Sequence, residues 1–573
     1  MTALLTENLP LLAASPKGIQ KLRELILELA VRGKLAPQDP NDEPASELLK
    51  RIAKEKPRLV AEGKIKKEKP THEDLAEISY EIPSTWAVAS LGQVVEIVRG
   101  ITFPASEKSK EPESGRVACL RTANVQDEIE WDDLLYIRES FVSRHDQYVE
   151  PHDIVMSMAN SRELVGKVAM IGAELKQRTT FGGFLGVLRP VLIEPRFVMV
   201  LLRTPHARST LIDSASQTTN IANVSLGKLR PLPFAIPPLA EQKRIVAKVD
   251  ELMALCDRLE AQQADAESAH VQFVQALLDS LTQASDAIDF AANWQRLAEH
   301  FHTLFTTETS IDALKKTLLQ LAVMGKLVPQ NPNDEPASEL LKRIAEEKAR
   351  LLAEGKIKKQ KEVEGITSEN HPYGLPAVWA WTRVGEILIR ISNGYTGTQS
   401  KIPTENMLSR IETISRAEID YSRVGYCVQI SKEDIEKYSL HEGDILLSHI
   451  NSDIHLGKTA LYKAEKPLIH GTNLLLLRPS SNMSPRYIDL HLTSLRMSGY
   501  FLSIAQHAIG QASVNQTKIS NIPFGLPPIA EQHRIVARVD ELMTLCDQLK
   551  YRVTQARQLK EHLASAIIKH AIA

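Results

Sequence analysis

The chain has 573 residues, 43% hydrophobic and 24% charged. This ordinary globular composition excludes a collagen, a disordered chain and a disulfide-stapled miniprotein. Lys plus Arg is 69 and Asp plus Glu is 71, a net charge of −2, which counts against a protein that grips nucleic acid unaided. The length suits three or four domains at about 150 residues each, and it is also close to twice 290, which the repeats below explain.

The opening MTALLTENLPLLAAS carries Glu7 and no basic stretch before its apolar residues, so no secretory signal is expected. No run of 18 uncharged apolar residues predicts a membrane span. Lys17–Val31 places Ile19, Leu22, Leu25, Ile26 and Leu29 at helical spacing and stops at Gly33. A second helix is predicted from near Pro44 to Gly63. Beyond it, strand-like Val94–Val98, Asp153–Met158 and Lys167–Ile171 and helical Arg196–Arg203 predict a mixed α/β region. After Pro237-Pro238 a long helix is expected, with Ile245, Leu252 and Leu259 on one heptad seam and Val249 and Cys256 beside them. If residues 241–283 are one helix, it is about 65 Å long at 1.5 Å per residue, a strut suited to pairing with its duplicate or with a partner's helix. Residues 285–310 have no repeat partner and are expected to join two halves. The four cysteines, Cys119, Cys256, Cys427 and Cys546, lie far apart, which fits a reducing cytoplasm and excludes a cysteine zinc site.

The same elements then return. Leu29–Lys67 recurs at Leu321–Lys359 with six of 39 positions changed, and Pro238–Leu259 recurs at Pro528–Leu549 with five of 22 changed. The offsets are 292 and 290 residues, so the chain is a tandem duplication. Between the repeats, residues 80–235 and 373–525 share only a skeleton: Tyr80 and Trp86 match Tyr373 and Trp379, and Asp153, Ser157, Asn160, Ser161, Gly166 and Lys167 match Asp444, Ser448, Asn451, Ser452, Gly457 and Lys458. Leu-Arg-Pro at 188–190 recurs at 477–479. Leu474–Leu477 and Arg486–Arg496 predict a strand and a helix in the second copy. A fixed frame thus carries two diverged inserts.

Catalytic motifs are mostly absent. There is no phosphate loop, no G-x-G-x-x-G and no H-E-x-x-H, and Gly182, Gly183 and Gly186 lack dinucleotide-loop spacing. Asn521-Ile-Pro-Phe524 approximates the Asn-Pro-Pro-Phe of adenine methyltransferases, but the first copy has Pro231-Leu-Pro-Phe234. Glu62-Gly-Lys64 and Glu354-Gly-Lys356, with Asp42 or Asp334 upstream, approximate a nuclease metal motif; a helix ending at a glycine predicts that these carboxylates do not converge. The runs Arg51–Lys69 and Lys342–Lys361 each hold eight basic against three acidic residues. They fit phosphate tracking, a solvated face laced with Glu–Lys pairs, or a contact with a partner protein.

The inserts are not basic modules: residues 80–235 hold 17 basic and 18 acidic side chains, residues 373–525 hold 15 and 13. If they read DNA, polar side chains must do so in a groove, Arg toward guanine and Asn or Gln toward adenine. The candidate contacts are Arg121, Asn124, Ser157, Asn160, Arg162, Lys167, Thr219, Asn220 and Asn223 in the first insert. In the second they are Asn393, Tyr395, Ser448, Asn451, Asp453, His455, Lys458, Gln511, Asn515 and Lys518. Positions common to both copies suit scaffold or phosphate contact. Base readout is expected where the copies differ, as at Arg121, Asn124, Arg162 and Glu163 against Asp453 and His455.

The pattern resembles the specificity subunit of type I restriction–modification systems. The resemblance rests on Pro237–Val246 and Pro527–Val536, both Pro-Pro-x-Ala-Glu-Gln-x-Arg-Ile-Val, on the Asp-Glu-Leu-Met-x-Leu-Cys-Asp seams, and on the paired Glu-Pro-Ala-Ser-Glu-Leu-Leu-Lys-Arg-Ile helices. It implies α/β target-recognition domains, mixed and mainly antiparallel with helices, alternating with long α-helical coiled-coil segments in a tandem duplication of pseudo-two-fold symmetry. The implied layout is a helical frame at 1–79, recognition domains at 80–235 and 373–525, a central frame at 236–372 and a final helix at 526–573. Each domain would read half of an asymmetric bipartite site on double-stranded DNA. The conserved helices would pack as an antiparallel coiled coil that fixes the spacer, and the frame would dock two modification subunits and, through them, two restriction subunits; Glu241, Ile245, Val249, Leu252, Cys256 and Leu259 and their repeats Glu531, Ile535, Val539, Leu542, Cys546 and Leu549 would serve the coiled coil or the partner contact. S-adenosylmethionine, ATP and Mg²⁺ would sit on those partners, with no cofactor, metal or catalytic residue in this cytoplasmic chain. The rival readings are a helical adaptor whose inserts bind proteins, and an enzyme in its own right.

Overall fold

The computed structural model describes residues 10–66, 78, 80–217, 222–285, 287–361, 363–366, 371–508 and 510–572. It resolves into two units, residues 1–266 with 556–573, and residues 267–555. Helices Leu239–Gln283 and Ile529–Ile572 are 45 and 44 residues long. Among the described residues no helix is long and apolar enough to cross a membrane.

In the first unit, helices Gly18–Val31 and Ala45–Ala61 form where the periodicity placed them. Leu22, Leu25, Ile26 and Leu29 share one core with Ile245, Val249, Leu252 and Cys256, and the core also takes Ala564 from the end of the chain. Arg23 fastens the contact from outside, its Nη2 on Asp257 at 2.6 Å and on Glu260 at 2.8 Å. The heptad seam therefore spends its apolar surface inside its own unit. The insert hangs from an antiparallel tie, Ala87–Ser90 against Pro233–Ile236, so it leaves and rejoins the frame at one place. Its main sheet runs Val95–Arg99, Leu185–Pro190, Ile154–Ser157 and Val168–Met170, all antiparallel. The middle strands are covered on both faces and so read as unbroken apolar runs. Leu135–Arg138, Arg116–Leu120 and Thr179–Phe181 form a second sheet whose last pair is parallel. A small third sheet joins Ser216–Gln217, Ala222–Asn223 and Ala159–Asn160.

The second unit repeats this plan. Ala380–Arg383 pairs with Pro523–Leu526 as the tie, and the main sheet runs Leu388–Asn393, Leu475–Pro479, Ile445–Leu447 and Thr459–Leu461. Gln399–Ser400, Gly425–Cys427 and Met407–Leu408 form one side sheet, and Ile450–Asn451, Gln511–Ser513 and Gln506–Ala508 the other. The 285–310 segment, expected as a connector, is itself mostly helical, with Ala287–Glu299 and Phe301–Leu304 ahead of Glu308–Val323. Leu297, Leu304 and Phe305 pack there with Leu278, Leu314 and Cys546. Lys315 on Asp547 repeats Arg23 on Asp257.

Three clamps recur. Arg244 pairs with Asp42 as Arg534 does with Asp334, with Nη2–Oδ2 distances of 2.5 and 2.6 Å. Arg189 pairs with buried Asp153 as Arg478 does with buried Asp444. Trp86 Nε1 donates to Glu241 and Trp379 Nε1 to Glu531, both at 3.0 Å. Glu241 and Glu531, expected at the coiled coil or a partner contact, are enclosed in their own units, where burial pushes both carboxyl pKa values up. Trp86→Phe should therefore cost about 1–3 kcal/mol, the price of a buried acceptor without its donor. Trp379→Phe should cost less, because Gln330 Nε2 still donates to Glu531 at 2.6 Å. Urea melts of the two variants side by side check the order, and equal midpoints would contradict it.

Candidate nucleic-acid interface

The two motifs that suggested an enzyme dissolve in the structure. Glu62 ends its helix paired with Lys64 at 2.9 Å, and Glu354 pairs with Lys356 at 2.8 Å, while Asp42 and Asp334 turn to their arginines. No metal-holding pair of carboxylates results from them. Asn521 Oδ1 accepts from the Glu364 amide at 3.0 Å and its carbonyl accepts from Arg383, so it braces the start of the insert. Each basic run is paired in part as a solvated face would be: Arg51 on Glu43 and Arg58 on Glu55, Lys342 on Glu339 and Arg343 on Glu335. Lys348 turns inward onto the Gly385 carbonyl at 3.0 Å, and burial lowers its pKa. Lys67 and Lys69 lie outside the described residues.

Most of the polar residues common to both inserts are scaffold. Ser157 and Ser448 are buried. Asn160 Nδ2 donates to Ser157 Oγ and its Oδ1 accepts from the Ser161 amide; Asn451 does the same with Ser448 and Ser452. Lys167 Nζ donates to Gln126 Oε1 at 2.5 Å, and Lys458 Nζ to the Ser415 carbonyl at 2.6 Å. Lys458 is further depressed in pKa by burial and by Arg496. These groups fix the hairpin after the central strand.

Asn124 is corrected outright as a base reader. It is 1% exposed; its Oδ1 takes the Arg121 amide and its Nδ2 donates to the carbonyls of Glu130 and Asp133, each at 3.0 Å. All of its directional capacity but one lone pair is spent on holding a turn. Arg121 is corrected in another sense. It is not a position where the copies differ: Arg410 stands at the same point of the second insert, ahead of the turn Ile411–Ile414, with Thr413 in the role of Asn124. Arg121 also bonds to Asp133.

The remaining candidates, Asn223 excepted, scatter. Asn223 and Gln511 are exposed on the small side sheets. Arg162 is exposed 3.9 Å from Asp213, and Asp453 lies 3.8 Å from His507. His455 is half-buried, with its pKa lowered by burial and by Lys458 and Arg496. Asn515 caps a short helix through the Lys518 amide, and Lys518 Nζ binds the Ile504 carbonyl at 2.6 Å. Tyr395 donates its hydroxyl to the Gln429 carbonyl at 2.8 Å, and Asn393 is exposed at the end of a main-sheet strand. Thr219 and Asn220 lie outside the described residues.

A cleft in the first insert brings two of the sequence candidates, Arg121 and Asn223, together with Arg99, Lys108 and Phe184, which sequence reasoning missed. It encloses about 630 Å³ where the main sheet, the second sheet and the small side sheet meet, with Arg99, Lys108, Arg121, Phe184 and Asn223 among its lining and no acidic residue. Among the described residues no ion pair or side-chain hydrogen bond engages Arg99 or Lys108. An insert that is near-neutral as a whole thus carries a locally positive recess, the arrangement that attracts phosphate and guanine edges. The signal was in the glycines. Gly100 packs so closely on Gly182 that a Cβ would stand 2.1 Å from the Gly182 carbonyl oxygen, and Gly394 meets Gly471 in the same way. Those pairs mark the corresponding edge of each insert.

The family described as the type I restriction modification DNA specificity domain matches residues 83–267 and 389–556. The chain is 38% identical to the type I restriction enzyme EcoEI specificity subunit of Escherichia coli, over 97% of this chain and 94% of that one. It is 39% identical to the EcoAI specificity subunit of Escherichia coli over the same shares. With the EcoKI specificity subunit of Escherichia coli strain K12 it shares 23% over 86% of this chain and 89% of that one.

Proposed function

The chain belongs to the type I restriction–modification DNA specificity family, and from that premise we propose that each insert reads one half of an asymmetric bipartite site on double-stranded DNA. It is a specificity subunit with two target-recognition domains, and methyl transfer and cleavage are the work of the complex around it. The observation that carries the proposal is the contrast inside the chain: identical clamps hold the two inserts on near-identical frames, while the exposed side chains at matching positions differ. Like inserts would suit a palindrome, and unlike ones suit two different half-sites.

In this reading residues 80–235 and 373–525 are the readers and the helices around them set the spacer. The frame docks two modification subunits, and two restriction subunits join through them. S-adenosylmethionine is bound by the former, ATP and Mg²⁺ by the latter, and the assembly works in the cytoplasm. A net charge of −2 makes tight binding by the isolated chain unfavourable, so much of the phosphate contact falls to the partners.

The test is to express the chain with its cognate modification subunit and map N6-methyladenine across a host genome. One asymmetric bipartite motif is expected. Replacing residues 80–235 with another domain of this kind should change one half of the motif and leave the other half and the spacer intact. A palindromic motif, or a replacement that alters both halves, would overturn the reading.

A further inference from the structure

The strand registers give a correspondence between the inserts that sequence identity does not. Arg99 pairs with Gly186 in the first main sheet, and Asn393 pairs with Leu475 in the second. Ile101 bridges Gly182 and Tyr395 bridges Gly471. Counting on from those bridges, Phe184 in the first insert stands where Asn473 stands in the second. The close Gly100–Gly182 and Gly394–Gly471 contacts lock both segments to each other by backbone alone, so the side chains next to them are free to differ.

They differ in chemistry. Phe184 is 65% exposed, yet its backbone is fixed, its carbonyl accepting from the amides of Met158 and Ala159 at 2.8 and 3.3 Å. A rigid loop thus holds a bare aromatic ring at the lip of the cleft that Arg99 lines. Burying the ring would recover about 25 cal/mol per Å² of apolar surface, and among the described residues most of it is left uncovered. In the second insert both positions are exposed asparagines, Asn393 and Asn473.

Resting on the reading above, we propose that residues 99 and 184, and residues 393 and 473, are the specificity-determining pairs of the two inserts. Arg99 would donate to the O6 and N7 acceptors of guanine while Phe184 packs against the apolar edge of a neighbouring base, a thymine methyl being the apolar group the major groove offers. Asn393 and Asn473 would each pair with the N6 and N7 edge of adenine. The two half-sites should accordingly differ in their need for guanine.

The experiment uses the chain in complex with its cognate modification subunit, with N6-methyladenine mapping as readout. Arg99→Asn with Phe184→Asn should shift one or two base pairs of the first half-site and leave the second half unchanged. Methylation of the original site should fall roughly tenfold to hundredfold. Asn393→Arg with Asn473→Phe should do the reciprocal. Arg99→Gln alone, on an exposed strand end, serves if a double variant folds poorly, and should relax one position. An unaltered motif in folded variants would overturn the proposal. If the replacement of residues 80–235 still changes one half, only the assignment of these pairs fails; if that replacement changes nothing, the reading beneath it fails as well.

Discussion

Asp444→Ala should destabilise the second unit by about 3–5 kcal/mol, the usual loss when one partner of a buried ion pair is removed. Asp444 is 1% exposed; Arg478 reaches it with Nε at 2.7 Å and Nη2 at 2.6 Å, and the His441 amide donates to the same carboxylate at 2.7 Å. Removing the carboxylate leaves a guanidinium that is only 16% exposed with a single long bond, to the Ser439 carbonyl at 3.4 Å. Asp153→Ala, the same substitution in the first insert, should cost less, because Arg189 also reaches Glu150 at 3.0 Å and that carboxylate is half in solvent. Hydrogen exchange under increasing urea checks both: protection should fall first in peptides of 373–525 for Asp444→Ala and of 80–235 for Asp153→Ala. A loss below about 1 kcal/mol would mean that the pair contributes no more than a surface bridge. The functional companion is selective, with each variant degrading one half of the methylation motif.

That pair also shows which features are legible in a sequence. Asp153 and Leu-Arg-Pro at 188–190 were visible as recurring residues, but nothing in the sequence joins Asp153 to Arg189 across 36 positions; only the Ile154–Ser157 and Leu185–Pro190 register does. Ile245, Val249, Leu252 and Cys256 announced a helix because a 3.5-residue spacing is local information. What they face was not local, and they pack chiefly within their own unit. The small side sheets have strands of two residues, such as Ala159–Asn160 and Ala222–Asn223, too short to show a period of two. Asn124 looked like a reader because asparagine suits adenine; its burial depends on carbonyls six and nine residues on. Arg99 and Phe184 carry no such signal, since their counterparts are asparagines, and a correspondence without identity appears only once strands are paired.

Mild acid should unfold the second insert before the first. Its interior holds His449, His470 and His491 where the first insert has Met158, Phe181 and Leu201, all six side chains being buried. Burial is the main cause that pushes each of the three imidazoles down to about 4. Arg390 and His449 depress His470 further, while Asp444 and the Leu474 carbonyl oppose the shift; the Pro523 backbone opposes it at His491. A base whose folded pKa lies below its unfolded value of about 6.5 binds fewer protons when folded. Its contribution is complete above pH 6.5 and is lost as pH falls toward 4, about 2 kcal/mol per histidine at pH 5. His449 and His470 interact, so their losses are not additive. Asp489 works the other way, since burial raises its pKa, and it offsets part of the loss. The first insert places His145, His152 and His206 at the surface. Urea melts at pH 7.5 and pH 5, followed by hydrogen exchange in both inserts, should show the midpoint for 373–525 falling further than that for 80–235. Combining His449→Met, His470→Phe and His491→Leu, the residues of the first insert, should bring the two responses together. Parallel responses in the unsubstituted chain would refute the assignment.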